Sequence, residues 1–257
     1  PRMKGRALCE IYGAYGWGEG VPMMKWLTDH MLVRGINHFV PHAFTPAYPD
    51  PDCPPHFYAA GHHPQYRDFG LLMAYANRMA HLLADTRPVV SAALLYHAQA
   101  EWSGGAFQYV QEPAKALYDA QLDYHILPED ALEQAVVESG AIRVADMRYP
   151  CLVVPYAAVL PAAVLKELTR LAAAGADIVF AQGTPQRTAE GEIFEAQGMD
   201  VCETAGLPAR LAGRGYADVT LSPPFPLLRI GHYVRGDVHF MMLFNEAMEA
   251  FDGVIHL

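Results

Sequence analysis

The sequence is short of positive charge, of paired cysteines and of long apolar runs. Lys and Arg number 18 against 28 Asp and Glu, a net charge of −10. That balance argues against nucleic acid or an anionic membrane surface as the main partner. No apolar run reaches the ~18 residues needed to span a bilayer. No secretory signal is visible at Pro1-Arg2-Met3-Lys4, so a cytoplasmic location is expected. The chain opens on Pro1 rather than Met, and a missing beginning is expected. Its four cysteines, Cys9, Cys53, Cys151 and Cys202, are widely spaced and form no Cys-x-x-Cys pair. Neither a zinc framework nor a disulfide scaffold is expected, and reduced thiols are the default.

Phosphate-binding signatures are lacking too. Gly13-x-x-Gly16-x-Gly18 is not Gly-x-Gly-x-x-Gly, and no Gly-Lys-Ser/Thr occurs. Apolar residues, by contrast, make up 52% of 257 residues and charged residues 18%, enough for a sizeable core in one large domain or two ordinary ones. His, Tyr and Pro are plentiful, and many crowd into residues 37–66.

The organising stretch is Cys9-Glu10-Ile11-Tyr12-Gly13-Ala14-Tyr15-Gly16-Trp17-Gly18. A strand over 6–11 runs into one carboxylate, Glu10, followed by aromatics and glycines. Glycine permits tight turns and close approach of a ligand. Flat aromatics beside a carboxylate suit a sugar, whose C–H faces stack while its hydroxyls need polar partners. Glu10 is thus a candidate catalytic carboxylate at the C-terminal end of a barrel strand. The plainer reading is a turn cap or a salt bridge.

A helix is predicted over 21–34, with Pro22 in its first turn and Gly35 after its end. A strand over 36–40 follows, and this β–α–β order favours parallel strands. His42 falls just after the second strand, placed to project beside Glu10. The loop 41–66, roughly 25 residues, is long for a compact domain and is functional in character. Its His38, His42, His56, His62 and His63, with Asp50 or Asp52, could hold a metal. Their spacing matches no standard zinc pattern. Local hydrogen bonding is the preferred reading, so no metal and no cofactor is expected.

Residues 67–84 form an amphipathic helix. The apolar run 89–96 reads as a strand covered on both faces. Helices are predicted over 105–121 and after Pro161, with strands at 122–127, 151–155 and 176–180. This alternation places 88 to about 205 in an open doubly wound fold. His97-Ala98-Gln99-Ala100-Glu101-Trp102 follows its first strand, where ligand crevices form. Glu101 beside Trp102 again suits carbohydrate, or else caps the next helix. A cysteine nucleophile is disfavoured because neither Cys151 nor Cys202 sits in a Gly-x-Cys-x-Gly elbow. Stretches 227–234 and 238–245 read as a hairpin turning at Gly236-Asp237.

Glu10-Ile-Tyr-Gly-Ala-Tyr-Gly-Trp17 and Arg34-Gly-Ile-Asn-His-Phe-Val-Pro-His-Ala-Phe44 resemble the last two barrel strands of large bacterial glycoside hydrolases, of the alpha-L-rhamnosidase-like or family-42 beta-galactosidase-like type. Tyr149-Pro-Cys-Leu-Val-Val-Pro155 and Gly175-Ala-Asp-Ile-Val-Phe180 resemble their glutaminase-like trimerisation domain, and Arg229 to Asn245 the opening of a sandwich. The resemblance implies an α/β chain in three parts. Residues 1–87 would be the end of a (β/α)8 barrel, 88–214 a doubly wound glutaminase-like (flavodoxin- or Rossmann-like) domain, and 215–257 the start of a β-sandwich.

It also implies hydrolysis of O-glycosidic bonds, with Glu10 as nucleophile or general base. Tyr12, Trp17 and His42 would shape the sugar subsite, with Glu101 and Trp102 as further substrate-binding candidates. Homo-oligomers would form through the glutaminase-like domain. A second carboxyl group is required, ~5–5.5 Å away for retention or ~6.5–9.5 Å for inversion. In such relatives it comes from an earlier strand, so the chain reads as a C-terminal piece of a longer enzyme. The alternative is a non-catalytic carbohydrate-binding or oligomerisation module.

Overall fold

A computed structural model describes residues 6–196 and 198–257. The chain divides into two compact units, residues 6–88 with Ile230–Glu246, and Val89–Arg229 with Ala247–Leu257.

The first unit begins with β1 (Leu8–Ile11), α1 (Val21–Leu32), β2 (His38–Pro41) and, after the long loop, α2 (Tyr66–Leu83). β1 and β2 pair in parallel, with Glu10 opposite Val40 and Ile11 opposite Pro41. α1 has no side-chain cap of its own. The Gln65 side chain, arriving from the far end of the loop, accepts from the Val21 N–H at 2.7 Å. Pro22 loses nothing in this first turn, where its missing N–H has no helical partner.

Ile11, Tyr12, Met24, Phe57 and Leu72 form one core cluster of this unit. Within it, Asp29 on α1 is buried but fully paired, accepting from Lys25 Nζ and Tyr75 Oη, both at 2.6 Å. The hairpin reading holds: strands Leu228–Arg235 and Val238–Asn245 are neighbours in one sheet, with Gly236 at φ +58° between them. Arg87–Pro88 is the third strand of that sheet. Tyr233 and Met242 pack with Leu32, Val33 and Leu83. The strands Thr220–Ser222 and Val254–His256 pair with each other in the second unit.

The second unit is built on a five-stranded sheet. Its elements are β3 (Ala92–Tyr96), α3 (Gln111–Tyr118), β4 (Tyr124–Pro128), β5 (Leu152–Val154), α4 (Ala162–Ala173), β6 (Ile178–Ala181), β7 (Asp200–Cys202) and α5 (Leu207–Gly213). All neighbouring pairs are parallel, in the spatial order β4-β3-β5-β6-β7. Numbered by their own succession this is 2-1-3-4-5, a doubly wound order.

Alternation along the strands builds two cores. Ala93, Leu95, Leu152, Val154 and Phe180 face Leu165 and Leu168 of α4. Ala92, Leu94, Val153, Val179 and Ala181 face Leu117 of α3 and Leu207 and Leu211 of α5. Burial on both faces is why these strands read as unbroken apolar runs. Each fully buried Leu or Val side chain contributes about 1.5–3 kcal/mol.

The helix expected over 105–121 is shorter. A turn, Ala98–Trp102, stands alone, and α3 starts only at Gln111. Pro113 is the reason: in a helix running from 105 its ring would meet the carbonyl four residues back, whereas in the first turn it fits.

Candidate active site

The parallel pairing of β1 and β2 fixes the centre of the first unit. Glu10 lies one residue before the end of β1, and His42 is the first residue after β2. Their side chains meet across the strand ends, His42 Nδ1 standing 3.9 Å from Glu10 Oε1. The Glu10 side chain is 67% exposed and that of His42 only 17%. The carboxylate is thus free to meet a ligand, with a held imidazole at its side. His42 Nε2 donates to the Cys53 carbonyl at 3.0 Å, which fixes the ring. Gly13 lies against the pair: a Cβ there would be in ordinary contact with Glu10 Oε1 at 3.4 Å and with His42 Cβ at 3.6 Å.

The loop after β2 wraps this centre in aromatics. Trp17 is half-exposed, edge-on to His56 (5.6 Å between ring centroids) and to Tyr48 (6.1 Å). Tyr48 stacks on His62 at 4.1 Å, and Phe44 on Tyr58 at 5.9 Å. The Gly16 N–H donates to the Pro54 carbonyl at 3.0 Å, tying the glycine-rich stretch to this loop.

Tyr12 is placed otherwise than expected. It is 1% exposed, its ring is edge-on to Phe57, and its hydroxyl shares a 2.6 Å hydrogen bond with Thr28 Oγ1. It offers no face to a sugar. Strand alternation would put it on the same side as Glu10, but the backbone at Tyr12 turns to φ +71° and sends the ring into the core.

Two buried residues carry signals here: Glu19, which the sequence reading passed over, and His56, which it named only as one of the loop's histidines. Glu19 is 5% exposed, and among the described residues neither carboxylate oxygen has a hydrogen-bond partner. Burial pushes its carboxyl up to about 7. His56 is 2% exposed, and both ring nitrogens are likewise without partners. Burial also holds the His63 imidazole below its usual value.

Glu101 and Trp102 lie in the second unit, on the turn after β3, and both are exposed, Trp102 by 80%. Beside them, main-chain and side-chain groups following β3 and β5 bond to one another. His97 is buried and its Nε2 donates to the Tyr156 carbonyl at 3.2 Å. The Gln108 N–H donates to the same carbonyl at 2.8 Å. Cys151 is fully buried, and burial pushes its thiol far up, away from the reactive thiolate.

No family model matches the sequence, and no curated protein sequence matches it. Solved structures do. The class they define is a glycoside hydrolase-like fold. Particular matches are the rhamnosidase of Novosphingobium sp. PP1Y (TM-score 0.66, 17% identity, 94% of this chain and 26% of that one) and the beta-galactosidase of Bacillus circulans sp. alkalophilus (0.60, 11%, 88% and 46%). The family-42 exo-carrageenase of Bacteroides ovatus is a third (0.59, 8%, 89% and 33%). At these identities the likeness is one of fold. The chain spans about a quarter to a half of the length of these structures. Among the described residues no helix is long and apolar enough to cross a membrane.

Proposed function

We propose that this chain is the part of a glycoside hydrolase that carries the carboxylate acting on the anomeric carbon or on the attacking water. The observation that supports this most is the exposed Glu10 at the C-terminal end of a parallel strand, with the His42 imidazole 3.9 Å away. Barrel enzymes place their chemistry at that end of their strands. In this reading 1–87 closes a barrel, 88–214 is a glutaminase-like assembly domain, and 215–257 opens a sandwich.

Glu10 acts as nucleophile, or as base toward water, and the partner acid comes from an earlier strand of the full-length protein. His42 orients the carboxylate. Trp17 stacks on the sugar. Glu101 and Trp102 reach the site of a neighbouring subunit in a homo-oligomer. The substrate is a carbohydrate joined through an O-glycosidic bond.

The exposed, stacked Phe44 and Tyr58 favour a second reading, sugar binding without hydrolysis. Assaying the full-length protein and its Glu10→Gln variant on a panel of aryl glycosides separates the two. Hydrolysis that depends on Glu10 supports the first; saturable sugar binding with no turnover supports the second.

A further inference from the structure

The loop after β2 brings together three metal-ligating side chains that the proposed hydrolysis leaves without a common task. His42, Asp52 and His56 each offer one ligand atom, and the three atoms lie within 4.8 Å of one another. His56 is the telling member. It is 2% exposed, and neither nitrogen has a hydrogen-bond partner. Buried polar groups are almost always paired, and an imidazole buried with both nitrogens unpaired is costly. A cation on one nitrogen removes much of that cost.

The remaining geometry agrees. Asp52 Oδ2 stands 3.9 Å from His42 Nε2. The Cys53 N–H donates to Asp52 Oδ1 at 2.8 Å, which orients this carboxylate. The Cys53 thiol is itself 3.9 Å from His42 Nε2 and 3.5 Å from Asp52 Oδ1.

We infer that His42, Asp52 and His56 form a site for a divalent first-row transition ion of the zinc type, with the Cys53 thiol beside it as a fourth donor. Two imidazoles and a carboxylate suit such an ion. Calcium and magnesium seek oxygen ligands. Ligand atoms around tetrahedral zinc lie about 3.3 Å apart, so the site closes by up to about 1.5 Å on binding. Exposed Asp52 and Cys53, on an irregular stretch, supply that movement.

His42 Nε2, which now donates to the Cys53 carbonyl, gives up that hydrogen bond to the metal. The ring proton then sits on Nδ1, the nitrogen facing Glu10 Oε1. Metal binding therefore fixes the tautomer that Glu10 meets, as outer partners do for metal-bound histidines elsewhere.

The test is titration of Co²⁺ into the metal-stripped full-length protein, followed by visible absorption and by displacement with Zn²⁺. One Co²⁺ per chain is expected, displaced by zinc and not by calcium. Affinity should fall at least tenfold in Asp52→Ala and in His56→Gln, and by less in Glu10→Gln, which leaves all three ligands in place and alters only the outer partner of His42. Asp52 is exposed, so its variant reports on the site even where His56→Gln disturbs folding. Absence of saturable binding, or binding that Asp52→Ala leaves intact, overturns the inference. The readout is metal uptake, so its failure is separate from failure of the role proposed for Glu10.

Discussion

Glu10 Oε1 and His42 Nδ1 stand 3.9 Å apart at the C-terminal ends of two parallel strands, one group open to solvent and the other held by the Cys53 carbonyl. The pair joins two segments 32 positions apart in the chain. Its geometry depends on the register that sets Glu10 opposite Val40. In the proposed function, His42→Ala removes the wall that orients the carboxylate without removing the carboxylate. A misplacement of this kind costs about 10- to 100-fold in kcat, with a smaller change in KM. Steady-state kinetics on aryl glycosides with the full-length protein measures it. Equal kcat in the variant would mean that His42 does not position Glu10.

Trp17 carries a different expectation. In the proposed function its half-exposed ring is the stacking surface, so Trp17→Ala should raise KM about tenfold, equivalent to ~1.4 kcal/mol of binding, while kcat changes less. The opposite split would place Trp17 in the chemical step.

Tyr12 should behave as a core residue. Tyr12→Phe deletes the hydrogen bond to Thr28 while keeping the ring against Phe57. The expected cost is about 1 kcal/mol in denaturant unfolding, with sugar affinity unchanged. Lost affinity at wild-type stability would return Tyr12 to the sugar subsite.

Glu19 makes stability depend on pH. Its folded carboxyl is raised to about 7 by burial, above an unfolded value of 4.5. The folded state therefore binds the proton more tightly. This stabilisation is complete below pH 4.5 and is lost as pH rises through about 7. Glu19→Gln removes this dependence and should be more stable than the parent at pH 8 by on the order of 1–3 kcal/mol, with no gain at pH 4. Urea unfolding at the two pH values decides it. An equal effect at both would mean that the buried carboxyl is not the cause.

Much of the fold was legible in the sequence because both faces of a parallel sheet need apolar residues. Val89 to Tyr96 announced β3, of which Ala92 to Leu95 are buried as read and Tyr96 is exposed, and the stripe Val164, Leu165, Leu168 and Leu171 announced α4, buried throughout. Short antiparallel strands at Val136–Glu138, Ala141–Val144 and Met147–Tyr149 were not legible. Three or four residues with mixed polarity give too short a pattern.

At the site, Glu10 and His42 could be placed because parallel pairing brings the ends of successive strands together. Tyr12 and Trp17 looked equivalent in sequence, and only the left-handed backbone at Tyr12 separates a core ring from an exposed one. Glu19 was invisible for a related reason, and His56, although named among the loop's histidines, could not be told from them as the buried one. Their burial depends on the path of the loop and not on any local pattern.

The most direct measurement of the central claim is turnover by Glu10→Gln in the full-length protein, on aryl glycosides, with unfolding monitored in parallel. The substitution keeps size and removes the charge. The account expects kcat/KM to fall at least about 10³-fold while stability is unchanged. A correctly folded Glu10→Gln protein that turns over at the parent rate would contradict it.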